Sequence, residues 1–259
     1  MYPQEQGSSA DLGVIQLSAE KKAGDRLNQY IASCGICSRR EADRMIEAGR
    51  VYVNGIPARQ GMRIQGTDEV TVDGRLLRGA LNKVVVAFYK PVGVTCTSSD
   101  RHADRTLNEA FSFPVRLTYA GRLDRDSEGL LLMTNDGNLI DNMMRGANGH
   151  EKEYIVRVRS RIRDADLERF RKGVRLKDLD VTTRPCEVER LGEYTFRIVL
   201  TQGLNRQIRR MCKAVGNEVR RLKRVRVLNV ELGAMKPGEQ RLISGEELEE
   251  LYRTASGTR

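Results

Sequence analysis

With 259 residues, the chain has room for one large domain and one small one, each able to bury a core. Its 45 Lys and Arg against 35 Asp and Glu leave a formal charge of +10, which makes a polyanion the natural partner, nucleic acid ahead of a membrane surface. No apolar run approaches the roughly 18 residues of a spanning helix, the N-terminus lacks a basic-then-apolar signal, and the scattered thiols Cys34, Cys37, Cys96, Cys186 and Cys212 read as reduced, so a soluble cytoplasmic protein is expected.

Residues 1–24 are polar, with only Leu12, Val14, Ile15 and Leu17 to offer a core, and a disordered tail is expected there. Residues 25–78 read as a small domain. A short helix around Leu27, Tyr30 and Ile31 breaks at Gly35, and a second helix opens at Ser38 with Glu41 three residues on, the spacing of a capping box; Gly49 supplies its stop. Val51-Tyr52-Val53 then meets the hairpin pair Asn54-Gly55, and Val70-Thr71-Val72 meets Asp73-Gly74. Arg39, Arg40, Arg44 and Arg50 lie on or just after the second helix, as a phosphate-facing or a merely solvated face would have them. Cys34-x-x-Cys37 lacks the second ligand pair that zinc requires, so no metal is expected.

Arg78 to Lys83 reads as a linker, and a second domain, 84–259, begins with the buried-looking strand Val84 to Tyr89. Pro91 and Gly93 turn the chain, and Asp100 to Asp104 reads as a polar loop. Further strands are expected at Leu130 to Met133, Tyr154 to Val158 and Tyr194 to Leu200. Helices are expected through Leu139 to Met144, from a cap at Asp164 to a stop at Gly173, from Asn205 to Val215, and after a Ser244/Glu247 cap. Between Gly203 and Val227 stand nine basic residues and the single acid Glu218, a density suited to tracking a phosphate backbone.

The stretch Gly121 to Gly129, feeding straight into Leu130-Leu131-Leu132-Met133, has the form of a loop that presents a reactive side chain, since the strand fixes what the glycines leave free. Asp124-x-Asp126-x-Glu128 has calcium-loop spacing, but its twelfth position is Asn135 and the run after Gly129 is apolar, which argues against calcium.

Read as Gly-Arg-Leu-Asp-x-x-Ser-x-Gly-Leu, residues Gly121 to Leu130 resemble the signature of the RNA pseudouridine synthases, in the branch containing RsuA, RluB, RluE and RluF. Lys90-Pro91-Val92-Gly93, Lys152-Glu153-Tyr154 and Gly203 to Met211 agree with that family in order. Arg26-Leu27-x-x-Tyr30-Ile31, Cys37 to Ala42 and Gly49-x-Val51-x-Val53-Asn54-Gly55 resemble the S-four (alpha-L) RNA-binding domain that commonly precedes such a catalytic domain. The resemblance implies an α+β chain: a small S-four domain, then a synthase domain with a mixed, largely antiparallel sheet flanked by helices.

It also implies isomerisation of uridine to pseudouridine without a cofactor. Asp124 would be the reactive carboxylate and Arg209 its basic partner. Arg122 would enter the RNA stack, with Leu123 and Arg125 beside it, Tyr154 would lie against the flipped uracil, and Arg206, Gln207, Ile208 and Arg209 would touch substrate. In the first domain Arg26, Arg39, Arg40 and Arg50 would hold RNA. The implied partners are ribosomal RNA, of the large subunit first, and a transfer-RNA anticodon stem-loop, with no obligate protein partner and a monomeric chain. A non-catalytic, ribosome-associated RNA-binding platform is the competing reading, and only the Asp124 loop and its companion motifs separate the two.

Overall fold

The computed structural model describes residues 17–18, 24–97, 105–145 and 149–257. The loop expected at Asp100 to Asp104 and most of the expected tail lie outside the described residues. Within that tail, Leu17–Ser18 pair antiparallel with Ala80–Leu81, inside the stretch read as a linker. The chain divides into two compact units, one running to Val84 and taking in Pro114–Arg116, the other comprising Val85–Phe113 and Leu117–Arg259.

In the first unit, helices Leu27–Ser33 and Arg39–Glu47 share a core with a four-stranded sheet ordered Ile56–Pro57, Val51–Val53, Val70–Val72, Arg75–Leu76. Both hairpins turn on pairs with positive φ, Asn54 (+52°) with Gly55 (+75°) and Asp73 (+50°) with Gly74 (+75°), whose twist matches that of the flanking strands. Half of the expected capping box forms: Ser38 Oγ accepts from the Glu41 amide at 3.2 Å, while the Glu41 carboxylate goes to Arg44 instead. Ser38→Ala is expected to cost about 1 kcal/mol, read as a lowered urea midpoint with unchanged slope.

The second unit is built on a nine-stranded sheet. Its main order is Glu187–Arg190, Thr195–Leu200, Lys152–Val158, Val219–Val227, Glu128–Thr134, Val85–Lys90, Gln240–Leu242, with Thr118–Ala120 and Val230–Glu231 paired at its side. Glu128–Thr134 and Val219–Val227 run parallel to each other, and the other pairs are antiparallel. Glu128–Thr134 is buried along its whole length, and Leu130, Leu131 and Leu132 at 0% exposure each remove enough apolar surface to stabilise the fold by about 1.5–3 kcal/mol. Helices Asp164–Lys172 and Gln207–Ala214 cover one half of the sheet, and Gly137–Met144 and Gly245–Ala255 the other.

Four expectations shift. The helix expected from Asn205 begins at Gln207, because Arg206 adopts a left-handed backbone (φ +50°, ψ +36°) that cannot enter a right-handed helix. Asp164 is the first helical residue rather than the cap; Arg163 precedes the helix, and its amide and guanidinium both donate to Asp166. Ser244 gives no side-chain cap, and the Glu247 carboxylate goes to Arg241 at 2.6 and 2.7 Å. Finally, the basic stretch after Gly216 is a strand, Val219–Val227, placed between Lys152–Val158 and Glu128–Thr134 in the middle of the sheet.

Candidate active site

Two paired strands hold the Asp124 loop at both ends. Thr118–Ala120 and Glu128–Thr134 are antiparallel neighbours, with Ala120 opposite Leu132, so the chain between them must fold back within a few residues. Gly121, at φ +81°, makes that turn, the Ser127 amide closes onto the Asp124 carbonyl at 3.1 Å, and Leu123 is buried beneath. The Lys90-Pro91-Val92-Gly93 turn supports the loop from the side: the Gly93 amide donates to the Arg125 carbonyl at 2.8 Å. Lys90 holds that turn by donating Nζ to the Pro91 and Val94 carbonyls at 2.9 and 2.8 Å, and burial pushes its ammonium down to about 8. At the loop's far end, buried Glu128 accepts from Tyr89 Oη at 2.8 Å and from Arg221.

A cleft of about 540 Å³ opens beside the loop. Asp124 lines it with a side chain 37% exposed, together with Arg122, Leu123, Arg125, Tyr154, Arg206, Gln207 and Ile208. The guanidinium nearest Asp124 is that of Arg206, at 3.7 Å. Arg206 also donates to Asp126 at 3.1 and 2.7 Å, from a left-handed backbone immediately before the helix. Arg209, expected on Asp124, instead sits under the next acid: Nη2 donates to the Asp126 carbonyl at 2.7 Å and Ser127 Oγ at 3.3 Å, and Nε lies 3.2 Å from the Asp126 carboxylate. Burial alone would raise Asp126, but the hydrogen bond from Arg206 and the charge of Arg209 outweigh it and hold its carboxyl below the usual range.

Gln207 and Ile208 are both buried. The Gln207 side-chain oxygen accepts from the Leu204 amide at 3.1 Å, fixing the turn before the helix, and Ile208 belongs to the core. They form part of the cleft wall.

The expected phosphate track is largely committed elsewhere. Arg210 pairs with Asp178, Arg221 with Glu128, and Arg226 with Glu151 and Glu153, while Arg224 is 2% exposed. Lys213 and Arg220 remain exposed. In the first unit Arg26, Arg39 and Arg40 are exposed, whereas Arg50 makes a two-pronged bond to Asp73 at 2.8 and 2.6 Å.

These pairs tie stability to pH. In Glu128, burial opposes ionisation but Arg221 and Tyr89 overcome it; in Glu153 the Arg197 hydrogen bond leads, and in Asp166 that of Arg163. All three carboxyls lie below their ordinary range. A folded-state value below the unfolded one gives stability that is present above the unfolded value and lost as pH falls through the folded one. The urea midpoint is therefore expected to be flat from neutrality down to about pH 5 and to fall steadily below about pH 4.3.

Sequence reasoning set Asp126 and Glu128 in the reactive loop, Lys152 in a motif and Arg224 in the basic stretch, but gave none of the four a role in the site. Lys152 lines the cleft and donates to the His150 carbonyl at 3.1 Å, and burial, then the like charge of Arg224, push its ammonium down to about 8. The available signal for the strand was short: Val225 and Val227 alternate with Arg224 and Arg226 and no glycine or proline interrupts Val219 to Val227, whereas the steps of three from Val219 to Leu222 to Val225 do not have strand period. Among the described residues there is no His, Cys, Asp and Glu cluster able to hold a metal, and no helix long and apolar enough to cross a membrane.

Residues 84–214 match the family model described as RNA pseudouridylate synthase, and residues 25–70 that of the S4 domain. The chain is 43% identical over 235 residues to the dual-specificity RNA pseudouridine synthase RluF of Salmonella typhi, covering 90% of this chain and 80% of that one. It is 33% identical over 239 residues to ribosomal large subunit pseudouridine synthase B of Bacillus subtilis, covering 89% and 97%. A crystal structure of a pseudouridylate synthase superposes with a TM-score of 0.64 at 28% identity, over 87% of this chain and 99% of the other. With a synthase model spanning half its length and relatives this similar across nearly all of it, the chain belongs to the RsuA-type family of RNA pseudouridine synthases.

Proposed function

We propose that the protein converts specific uridines of ribosomal RNA, those of the large subunit first and a transfer-RNA anticodon stem-loop second, into pseudouridine, with Asp124 as the reacting group. The observation that carries this reading is a partly exposed aspartate in the wall of a cleft with a guanidinium 3.7 Å away and, among the described residues, no hydrogen bond to its carboxylate. The names of the relatives support the RNA class: those of the RluF type are called dual-specificity, and the Bacillus subtilis relative is called a large-subunit enzyme.

A uridine in a stack is out of reach, so the base leaves the helix at a cost of roughly a few kcal/mol, which phosphate contacts must offset. Arg122 fills the gap in this reading, which its exposure on the loop beside Asp124 supports. Tyr154, half-buried in the cleft wall, offers a flat face to the extruded uracil. The Asp124 carboxylate then either attacks the anomeric carbon to form an ester or takes the neighbouring ribose proton to give a glycal, and the positive charge growing on the sugar is met by the same carboxylate. The first domain supplies RNA affinity through exposed Arg26, Arg39 and Arg40, with Arg50 bridging to Asp73. The chain acts as a cytoplasmic monomer in this reading.

Incubating the protein with unmodified ribosomal and transfer RNA, followed by carbodiimide treatment and reverse transcription, is expected to give new stops at defined uridines. An absence of stops on every RNA would favour the non-catalytic platform instead.

A further inference from the structure

Two cations in the cleft have no role in the chemistry derived so far. Lys152 and Arg224 both line it, on neighbouring antiparallel strands, and Tyr154 is the direct cross-strand partner of Arg224. Arg224 gives Nε to the Leu130 carbonyl at 2.7 Å and Nη1 to the Arg122 carbonyl at 3.3 Å, while its Nη2 is buried with no hydrogen-bond partner among the described residues. Lys152 has three N–H donors and makes one described bond, to the His150 carbonyl. Burial lowers the ammonium, and the neighbouring guanidinium lowers it further. Two like charges kept from water, one with an unfilled donor, are costly unless an oxygen arrives between them.

We propose that Lys152 and Arg224 receive the carbonyl oxygens of the flipped uracil and stabilise the base as it departs; this rests on the functional reading above. When the N1–C1′ bond breaks, its electron pair passes to the base and spreads onto O2 and O4, and Asp124 takes up either C1′ or the ribose proton. The cations donate N–H bonds to those oxygens without giving up a proton. Re-addition through C5 forms the C5–C1′ bond as the Asp124–C1′ ester bond breaks, or after Asp124 has returned the proton to C2′; the C5 hydrogen then leaves as a proton while N1 gains one, so that the isomerisation closes without net loss of a proton. Tyr154 stands opposite Arg224 and two residues from Lys152 in the same cleft wall, so a base stacked on it lies beside both, and the charge they meet exists only after the bond begins to break, so they act on rate rather than on binding.

The test compares single-turnover rates of N1–C1′ cleavage, read as loss of the parent nucleoside after digestion, for wild type, Lys152→Met and Lys152→Arg on transcribed large-subunit ribosomal RNA and on the same RNA made with 5-fluorouridine; its electron-withdrawing fluorine makes the base a better leaving group by itself and, with no hydrogen at C5 to lose, leaves a C5-fluorinated product in place of pseudouridine. Lys152→Met is expected to lose about 10²–10³-fold in rate on uridine RNA, the usual effect of deleting one such donor, with RNA affinity within about 3-fold of wild type. Its defect on fluorinated RNA should shrink to about 10-fold or less, and Lys152→Arg should recover most of the rate. An equal defect on both RNAs, or a loss confined to RNA affinity as a phosphate contact would give, overturns the assignment. An active wild type with an unaffected Lys152→Met overturns it alone, whereas a wild type inert on both RNAs overturns the functional reading as well. Far-ultraviolet circular dichroism and the Lys152→Arg variant separate lost chemistry from lost fold.

Discussion

Asp124→Asn is expected to lower turnover by about 10⁴-fold or more while leaving RNA affinity within about 3-fold and the unfolding midpoint almost unchanged. The amide keeps the shape and the hydrogen-bonding reach of the carboxylate but can neither form the sugar ester nor remove the ribose proton. Stability should be indifferent, because the side chain is 37% exposed and its described ion pair, to Arg206 at 3.7 Å, is long and solvated, a kind of contact worth about 0–1 kcal/mol. Affinity should also hold, because in the proposed reading RNA is held by Arg122 in the stack and by the arginines of the first unit, none of which bonds to Asp124. Single-turnover conversion of a mapped uridine and filter binding of the same RNA provide the two readouts. Turnover within tenfold of wild type would place the reacting group elsewhere.

The arrangement around Asp124 shows which parts of the site could be read from sequence. Gly121 and the apolar run after Gly129 marked a loop clamped to a buried strand, because glycine freedom and β-branched or leucine-rich runs are local properties. The partner of the acid was not local. Arg206 and Arg209 lie three residues apart and carry the same group, and both end on Asp126; only Arg206, standing at the left-handed turn that shortens the expected helix by two residues, also comes within 3.7 Å of Asp124. An arginine with positive φ is rare enough that no composition-based reading would place it.

The basic segment shows the converse failure. Charge density suggested a surface for RNA, and for Lys213 and Arg220, both exposed, that stands. Yet Arg221, Arg224 and Arg226 sit on a strand flanked on both sides, where they neutralise Glu128, bind carbonyls and neutralise Glu151 and Glu153. Their acids come from Glu128–Thr134 and from the start of the Lys152–Val158 strand, far away in sequence, so the pairing is a product of sheet order that counting charges along the chain cannot reveal. In the first unit the same limit applies on a smaller scale. Helix caps and hairpin turns were legible, whereas the Arg50 bridge to Asp73 depends on Val51–Val53 lying against Val70–Val72.

Gly129→Ala is expected to destabilise the second unit by about 3–5 kcal/mol, lowering its melting temperature by about 10 °C, and to reduce turnover even where the protein remains folded. Gly129 has φ +106°, and a Cβ there would lie 2.2 Å from the Arg224 carbonyl oxygen and 2.8 Å from its nitrogen. Those are backbone atoms of a central strand, so they cannot swing aside as a flexible side chain would. This close approach is the one place where the parallel pair forms, Glu128 to Lys223 and Gly129 to Arg224. Arg224 reaches from there to the carbonyls of Leu130 and Arg122, one on each side of Asp124. Prising the strands apart would therefore slacken both ends of the reactive loop at once, which ties the loss of rate to the loss of stability. Gly192→Ala provides the control, since a Cβ at Gly192 meets nothing within 4 Å, and it should change stability by less than about 1 kcal/mol. Calorimetry on the two variants, with turnover measured below both transitions, decides the point: an unfolding transition for Gly129→Ala that coincides with wild type would mean that the strands can separate without strain, and that the glycine is not what sets the position of Asp124.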